Sequence, residues 1–170
     1  KSIVIKVGKS KNCRSILYEK QMHLKLYNAL SMRCRTFINT PFENKCDNIH
    51  MYAHAEGHTL RYCLENNLLT TDMLFHVYTK ICDALICMWK SGFVHADLHL
   101  KNIIITKRLG VKIIDFGFLT KVSPLPRHIK HSDLKFIYGW FKKQWKDVLQ
   151  FHRIKIGNPN LRLYGNTSIP

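Results

Sequence analysis

The sequence predicts a small α+β domain in which strands and one helix are followed by a mainly helical part. Three observations predict this class. Residues 2–7 are mostly apolar and β-branched, which is typical of a strand. Apolar residues recur at helical spacing through residues 71–90, and two short apolar runs, 103–106 and 111–114, flank a turn. A chain of 170 residues is long enough for one compact domain or for two small lobes that share a cleft.

The first part of the chain holds another predicted helix, over residues 15–30. Apolar side chains recur there at helical spacing, at Ile16, Tyr18, Met22, Leu26 and Leu30. Residues 41–47 are predicted to form a loop, and residues 49–53 form a short apolar segment. Gly57 then predicts a change of chain direction.

The long helix over residues 71–90 is the clearest predicted element. Thr70 or Thr71 can cap its first turn, and Gly92 suits the position just past its end. A weaker amphipathic pattern predicts a further helix over residues 133–151. The apolar face of the long helix is predicted to comprise Met73, Val77, Ile81, Ala84, Leu85 and Met88.

The composition is basic, with 27 Lys and Arg against 11 Asp and Glu and a formal net charge of +16. Such a surface attracts nucleic acid, acidic membranes or acidic proteins, although a solvated basic face without a dedicated partner is the other interpretation. The 46% of apolar residues excludes a wholly disordered chain. No run approaches the roughly 18 to 20 apolar residues that span a bilayer, and the N-terminus lacks the apolar region of a signal peptide. We therefore expect a soluble, cytoplasmic protein.

Six cysteines are present, and none of them form a C-x-x-C pair. This spacing argues against a zinc site. Several stand beside apolar residues, so we expect buried free thiols in a reducing compartment. The cysteines are Cys13, Cys34, Cys46, Cys63, Cys82 and Cys87.

The stretch HADLHLKN at residues 95–102 places a carboxylate, an amide and a cation on one tight loop. Phosphoryl transfer needs a carboxylate that orients the attacking hydroxyl, oxygen ligands for magnesium and a cation for the phosphates. Asp97 and Asn102 are five residues apart, so a loop can fold both side chains toward one point. Asp115 follows the predicted hairpin and can face Asp97, because a hairpin returns the chain to its start. The pattern therefore predicts a phosphotransfer site.

HADLHLKN followed by IIDFG resembles the catalytic loop and the metal-binding motif of the protein-kinase superfamily. Either motif alone is weak, but both occur here in order, with a hairpin between them and a long helix before them. The resemblance implies a reduced two-lobed protein-kinase-like fold. It implies a small N-lobe over residues 1–52, a mainly helical C-lobe over residues 53–170, and a cleft that binds ATP and Mg²⁺.

The resemblance also implies a role for each site residue. Asp97 is expected to be the catalytic carboxylate, and Asn102 and Asp115 are expected to bind magnesium. The sequence IVIK at the N-terminus resembles the kinase V-A-I-K strand, so Lys6 is expected to contact the nucleotide phosphates. Its usual partner is a Glu on the following helix, and Glu19 is the first acidic residue of the chain.

Two further assignments follow from the same resemblance. The sequence MYAHAEGHTL is similar to the hinge between kinase lobes, where backbone groups meet adenine and Tyr52 would guard the pocket. Asp133 is similar to the buried Asp that anchors the catalytic loop. The residues expected to bind adenine are Ala53, His54 and Ala55.

Several departures from the family pattern are present. Only five residues precede Lys6, so the sequence shows no glycine-rich loop before it. Either the chain is cut short or its family has trimmed this loop. Ala96 replaces the Arg that usually precedes the catalytic Asp, so control by a phosphorylated activation loop is not expected. His99 replaces the Lys of most Ser/Thr kinases and is similar to the His of aminoglycoside phosphotransferases. No A-P-E motif occurs.

The resemblance therefore implies an ATP- and Mg-dependent phosphotransferase, first of all a minimal Ser/Thr protein kinase of the viral or bacterial-effector type. A small-molecule phosphotransferase and a kinase-like binding module without catalysis stay open as alternatives. The expected partners are a protein substrate and an acidic protein or nucleic acid on the basic surface. A viral or effector kinase would work in the host cytoplasm or nucleus.

Overall fold

The computed structural model of the protein describes residues 2–9 and 13–121. The helix expected over residues 133–151, including the anchoring role of Asp133, therefore lies outside the described residues. Among the residues that are described, no helix is both long enough and apolar enough to cross a membrane.

The N-terminal elements form a three-stranded antiparallel sheet with a long helix beside it. Strand β1 (Ile3–Val7) is followed by helix α1 (Cys13–Ala29), the short helix α2 (Met32–Arg35), strand β2 (Pro41–Phe42) and strand β3 (Ile49–Ala53). The sheet order is β1-β3-β2. The predicted first strand and first helix are confirmed, but the loop predicted in this region begins with β2, because its two residues pair with β3.

One face of α1 packs against the sheet, and that face is partly polar. Leu26 is fully buried there, and Met22 is 6% exposed. Lys20 is also buried, and its Nζ donates hydrogen bonds to the carbonyl oxygens of Asn44 and Cys46 at 2.7 and 3.1 Å. Since a buried charge is costly without partners, these bonds explain how the ammonium group is tolerated. The polar residues of the buried face are Glu19, Lys20 and His23.

Two helices follow β3, α3 (Leu60–Glu65) and α4 (Thr71–Lys90). Helix α4 has the predicted bounds, whereas α3 was not predicted. Thr59 caps α3 and Thr70 caps α4, each by accepting a hydrogen bond from the backbone N–H three residues later, at 3.2 and 3.4 Å. The buried face of α4 includes Val77, Ile81, Ala84, Leu85 and Met88, which confirms most of the predicted apolar face.

Short strands fold around the end of α4. They are β4 (His58–Thr59), β5 (Phe93–Val94), β6 (Ile103–Ile105), β7 (Val111–Ile113) and β8 (Thr120–Lys121). Strands β6 and β7 pair antiparallel, which confirms the predicted hairpin. Strand β4 pairs with the other edge of β6, and β5 pairs with β8. The hairpin strand β6 is therefore the middle strand of a three-stranded sheet, β4-β6-β7, and β5 and β8 form a separate two-stranded sheet.

The N-terminal and C-terminal elements meet beside β7. Ile38 forms a parallel bridge with Ile113, whose N–H donates to the Phe37 carbonyl at 2.8 Å. Lys112 Nζ donates to the Ile38 carbonyl, also at 2.8 Å, and burial lowers the pKa of Lys112. The strand that leads to Asp115 is thereby fixed to the segment that follows α2.

A disulfide joins Cys34 of α2 to Cys87 of α4, with the two Cα atoms 5.7 Å apart. This bond corrects the expectation that all six thiols are free. The two residues are separated by 53 positions, so their spacing in the sequence gives no sign of the contact. The cysteines that are free are Cys13, Cys46, Cys63 and Cys82, of which Cys46 is exposed.

Candidate active site

Lys6 and Glu19 form an ion pair between the first strand and the first helix. Lys6 Nζ lies 2.7 Å from Glu19 Oε1. The alternation of β1 leaves Ile3, Ile5 and Val7 exposed on one face and places Lys6 on the opposite face. Glu19 is only 5% exposed, so the helix presents its carboxylate to Lys6 from a buried position.

Burial acts on both partners of this pair. It lowers the pKa of Lys6, but the hydrogen bond and the charge of Glu19 outweigh it, so the pKa of Lys6 is raised overall. Burial raises the pKa of Glu19, against the opposing effect of the hydrogen bond from Lys6. Lys6 therefore carries its charge at neutral pH, and we assign Glu19 as its ionised partner, because a half-buried ammonium group needs a counter-charge.

Lys6 also faces a second carboxylate. Its Nζ lies 3.4 Å from Asp115 Oδ1. The side chain of Asp115 is 48% exposed, against 7% for Glu19. Glu19 thus anchors the ammonium group from inside, while Asp115 stands at the open side of the same depression. The residues that line this depression are Glu19, His23, Asn39, Tyr52, Ile114, Asp115 and Phe116.

His95 ties the loop that carries Asp97 to the end of β7. Its Nε2 donates to the Ile114 carbonyl at 3.0 Å, and its Nδ1 accepts from the Asp97 N–H at 3.3 Å. Since a carbonyl oxygen only accepts, the proton is on Nε2 and the ring is neutral. Burial lowers the pKa of His95, which favours this form. His95 is therefore a structural residue, whereas the Asp97 carboxylate is 45% exposed and accessible to an acceptor.

Asn102 connects the other end of this loop to the backbone of Asp97 and to that of Ile114, the residue before Asp115. Its Nδ2 donates to the Asp97 carbonyl at 3.0 Å, and its own carbonyl accepts from the Ile114 N–H at 3.0 Å. Asn102 is 5% exposed. Because the amide nitrogen is used within the loop, Oδ1 is the atom that can bind a cation. The structure thus brings Asp97, Asn102 and Asp115 together through short backbone links.

The backbone is left-handed immediately before Asp97 and at Asp115. Ala96 has φ 64° and Asp115 has φ 66°. Non-glycine residues adopt this conformation rarely and at some cost, and such residues concentrate at functional sites. The ring of Phe116 is buried against His23, with ring centroids 4.6 Å apart, and against His95, at 5.7 Å. This packing helps to hold Asp115 in its unusual conformation.

The oxygen atoms at this site fit a hard divalent cation. Asp115 offers a carboxylate and Asn102 an amide oxygen, which are ligand types that Mg²⁺ accepts together with water and phosphate oxygens. The positive charge of Lys6 beside them fits a polyphosphate. The residues present are therefore compatible with a magnesium–nucleotide ligand.

The predicted hinge residues begin at the last residue of β3, Ala53, and continue just past it. The Ala53 N–H donates to the Thr40 carbonyl at 2.8 Å, and the His54 N–H donates to the Ser2 carbonyl at 3.0 Å. Both of these amides are therefore engaged within the sheet region. Of the three predicted adenine-binding residues, Ala55 is the one whose N–H makes no backbone hydrogen bond within the described part of the chain.

Sequence reasoning missed three polar contacts of α1, made by His23 and Tyr18. His23 Nδ1 lies 3.0 Å from His50 Nε2, and His23 Nε2 lies 2.8 Å from the Asn39 carbonyl. Tyr18 Oη donates to the Leu119 carbonyl at 2.8 Å. Since these contacts join residues that are distant in the sequence, the signal that could have found them is weak. Tyr18 is adjacent to Glu19, and His23 follows Glu19 by one helical turn.

Comparisons with known proteins show which family the chain is similar to. The family model of the protein kinase domain matches residues 1–136. A probable serine/threonine-protein kinase of Clostridium perfringens is 35% identical over 65 residues, which cover 38% of this chain and 10% of that protein. The mouse NUAK family SNF1-like kinase 1 is 34% identical over 77 residues, covering 45% of this chain and 12% of that protein.

A tyrosine-protein kinase is also similar. Human TXK is 29% identical over 119 residues, which cover 69% of this chain and 20% of that protein. The matched part is thus at most a fifth of the length of each of these three relatives. Since the family model matches well over half of the chain, and the described elements form the small sheets and helices expected of an α+β kinase fold, the chain belongs to the protein kinase domain family.

Proposed function

We propose that this chain is an ATP- and magnesium-dependent protein kinase domain that transfers the γ-phosphate of ATP to a hydroxyl group. One observation supports this proposal most strongly: Lys6 Nζ lies between the buried Glu19 and the exposed Asp115, at 2.7 and 3.4 Å. A fold does not require a lysine to be shared between two carboxylates in this way. A magnesium–phosphate site uses both contacts, because the phosphate-binding lysine needs a fixed counter-charge and Mg²⁺ needs a carboxylate ligand beside the phosphates.

In this proposal, Asp115 and Asn102 hold Mg²⁺, and Lys6 contacts the phosphates while Glu19 keeps it in place. The bound Mg²⁺ would neutralise charge on the phosphate oxygens. The Ala55 N–H would meet the adenine, since the amides of Ala53 and His54 are already engaged. These assignments rest on the contacts described above and on the family of the chain.

Asp97 orients the acceptor in this proposal. Its carboxylate is 45% exposed, while its N–H and carbonyl are bonded to His95 and Asn102. The loop is thus held through its backbone, and the carboxylate is available to accept a hydrogen bond, and then the proton, from the attacking hydroxyl. Orientation of this kind is a large part of catalysis in phosphoryl transfer.

We propose a protein substrate with a Ser or Thr acceptor. Of the three relatives described above, the Clostridium protein is named a probable serine/threonine-protein kinase. The mouse protein is named an SNF1-like kinase, and human TXK is named a tyrosine-protein kinase. The net charge of +16 favours an acidic protein as substrate or docking partner. In this proposal the catalytic domain is minimal because it has no A-P-E motif. It is not controlled by a phosphorylated activation loop, because Ala96 stands where an Arg would pair with that loop.

A small-molecule phosphotransferase is the second candidate, and His99 favours it. His99 Nε2 lies 3.8 Å from Asp97 Oδ2, and both side chains are partly exposed. A His two residues after the catalytic carboxylate is similar to the His at the same motif position of aminoglycoside phosphotransferases. Transfer of labelled phosphate to an aminoglycoside, and not to an acidic Ser/Thr-containing protein such as casein, would favour this candidate.

The test of the main proposal uses the full chain. ADP binding is measured by calorimetry with and without Mg²⁺, and transfer is measured with labelled ATP and casein. Asp115→Ala should abolish the magnesium-dependent part of binding and the transfer. Asp47→Ala, in an exposed loop, is the matched control and should leave both unchanged. Magnesium-dependent transfer at the wild-type rate by Asp115→Ala would refute the metal assignment, and nucleotide binding without any transfer would indicate a binding module.

A further inference from the structure

Helix α1 contacts the segment after Asp115 through a tyrosine that the proposed function does not use. The Tyr18 hydroxyl donates a hydrogen bond to the Leu119 carbonyl at 2.8 Å, across 101 positions of the chain. Tyr18 directly precedes Glu19, which pairs with Lys6. Two consecutive residues of one helix therefore reach both the phosphate-binding lysine and the segment that carries the magnesium ligand.

The segment that receives this bond is a turn. The Leu119 N–H donates to the Phe116 carbonyl at 3.1 Å. Phe116 and Leu119 are 1% and 0% exposed, whereas Phe118 between them is 68% exposed. The turn is thus fixed by two buried side chains and its own hydrogen bond. The position of Leu119 therefore constrains the position of Phe116, the residue after Asp115.

Asp115 needs such a fixed neighbourhood because its backbone is left-handed, with φ 66°. A non-glycine residue leaves this region unless the surrounding structure holds it there. On the N-terminal side, the Ile114 carbonyl accepts from His95 and the Ile114 N–H donates to Asn102. On the C-terminal side, the Tyr18 hydroxyl donates to the Leu119 carbonyl, and the Glu19 carboxylate is a hydrogen-bond partner of the Phe116 backbone. Within the segment itself, the Thr120 hydroxyl donates to the Phe118 carbonyl.

We propose that Tyr18 is a positioning residue for the magnesium site. Its hydroxyl holds the Leu119 carbonyl, the turn holds Phe116, and Asp115 keeps the conformation in which its carboxylate faces Lys6 at 3.4 Å. The same helix holds Lys6 through Glu19, so α1 sets the position of both charges. The magnesium part of this inference rests on the proposed function, whereas the contact itself does not.

Two measurements on Tyr18→Phe, which removes only the hydroxyl, test the proposal in the full chain. The first is hydrogen exchange of the backbone amides at residues 116–121, without nucleotide. The second is the ratio of ADP affinities with and without Mg²⁺. Tyr62→Phe is the matched control, because Tyr62 is 45% exposed on α3, Tyr18 is 43% exposed, and Tyr62 stacks on His58.

Tyr18→Phe should speed exchange in this segment and lower the magnesium-dependent gain in ADP affinity about fivefold, which is within the effect of one hydrogen bond. ADP affinity without Mg²⁺ should stay at the wild-type value. The exchange rate and the magnesium effect of Tyr62→Phe should also stay at the wild-type values.

An unchanged exchange rate in Tyr18→Phe would overturn the inference, whatever the ADP affinities are. Faster exchange with an unchanged magnesium effect would make Tyr18 a purely structural contact and also overturn it. A wild-type chain without any magnesium effect would refute the proposed function, and with it the positioning role, while exchange would still report the contact.

Discussion

Asn102 closes the loop that carries Asp97, because its side-chain amide donates a hydrogen bond to the Asp97 carbonyl oxygen at 3.0 Å. The Asp97 N–H is bonded as well, to His95 Nδ1. Both bonds use the main chain of Asp97. The loop geometry therefore does not depend on the Asp97 carboxylate, which can be changed without opening the loop.

Asp97→Asn should lower the rate of phosphate transfer by about a hundredfold to ten-thousandfold, the usual contribution of a general base. ADP affinity in the presence of Mg²⁺ should change by less than about twofold, because Asn keeps the size of the side chain and the loop stays closed. Single-turnover transfer and ADP calorimetry on the same preparation measure the two effects. A collapse of ADP affinity with an unchanged rate per bound complex would show that Asp97 has a different role.

Glu19→Gln should weaken magnesium-dependent ADP binding and transfer by about tenfold or more. With a neutral partner at α1, Lys6 loses its buried counter-charge, and Asp115 at 3.4 Å becomes its main ionic partner. Lys6 would then compete with Mg²⁺ for the Asp115 carboxylate. The measurement is a titration of ADP binding with Mg²⁺, which should shift to higher concentrations.

The control for this prediction is Glu65→Gln. Glu65 also forms an ion pair on a helix, with Arg61 at 2.6 Å, but both side chains are more than half exposed. An exposed pair contributes little to stability, so this variant should bind ADP as the wild type does. Equal behaviour of Glu19→Gln and Glu65→Gln would mean that the pair of Glu19 with Lys6 does not contribute to nucleotide binding.

The elements with strong local signals were predictable from the sequence. Helix α4 has the predicted bounds, because its apolar spacing is regular and Thr70 is a good cap. The hairpin of β6 and β7 was predictable because two β-branched runs flank a short turn. The candidate site was predictable because Asp97, Asn102 and Asp115 lie close together in the sequence, on either side of that hairpin.

The features that were missed depend on contacts between distant residues. The Cys34–Cys87 bond and the hydrogen bond from Tyr18 to Leu119 join positions that only the packed fold brings together. Strand β4 has two residues, too few for a periodic pattern, and exists because it pairs with β6. The polar face of α1 was also invisible, since His23 gains its partners only from residues 39 and 50.

Reduction of the Cys34–Cys87 disulfide should lower the free energy of unfolding by about 2–4 kcal/mol, since the bond closes a long loop in the unfolded chain. Urea unfolding with and without a reductant measures this difference. Cys34→Ser/Cys87→Ser should have the stability of the reduced protein and be insensitive to reductant. Cys46→Ser, at an exposed free thiol, is the control and should stay sensitive.

Thiol titration of the denatured chain checks the bond itself. The oxidised protein should react at four cysteines, Cys13, Cys46, Cys63 and Cys82, and the reduced protein at all six. Six reactive thiols in protein purified without reductant would contradict the disulfide.

The buried histidine pair predicts a loss of stability in acid. His23 and His50 are 1% and 0% exposed. Burial, together with the charge of its neighbour His50, lowers the pKa of His23 to about 3. Burial, together with the charges of Lys6 and Lys20, lowers the pKa of His50 to about 4. Both rings are therefore neutral in the folded protein at neutral pH.

The hydrogen bonds specify the tautomers of this neutral pair. The Asn39 carbonyl only accepts, so His23 Nε2 carries a proton and donates to it. His23 Nδ1 is then an acceptor, and His50 Nε2 must donate to it across 3.0 Å. A proton added to His23 Nδ1 would oppose that donor, so the pair resists protonation by geometry as well as by burial.

The unfolded chain takes up these protons near pH 6.5, where ordinary histidines titrate. Stability contributed by the neutral pair is therefore fully present above about pH 6.5 and is lost as the pH falls toward the folded pKa values of about 4 and 3. Between pH 7 and pH 5 we expect the free energy of unfolding to fall by about 2 kcal/mol per histidine.

His50→Gln removes one titrating group but keeps a donor for His23. Its free energy of unfolding should therefore fall by about 2 kcal/mol less over this range than that of the wild type. Urea unfolding at pH 7 and pH 5 measures both values, and His76→Gln, at an exposed position on α4, should behave as the wild type. An equal loss in His50→Gln and the wild type would show that the pair does not govern stability in acid.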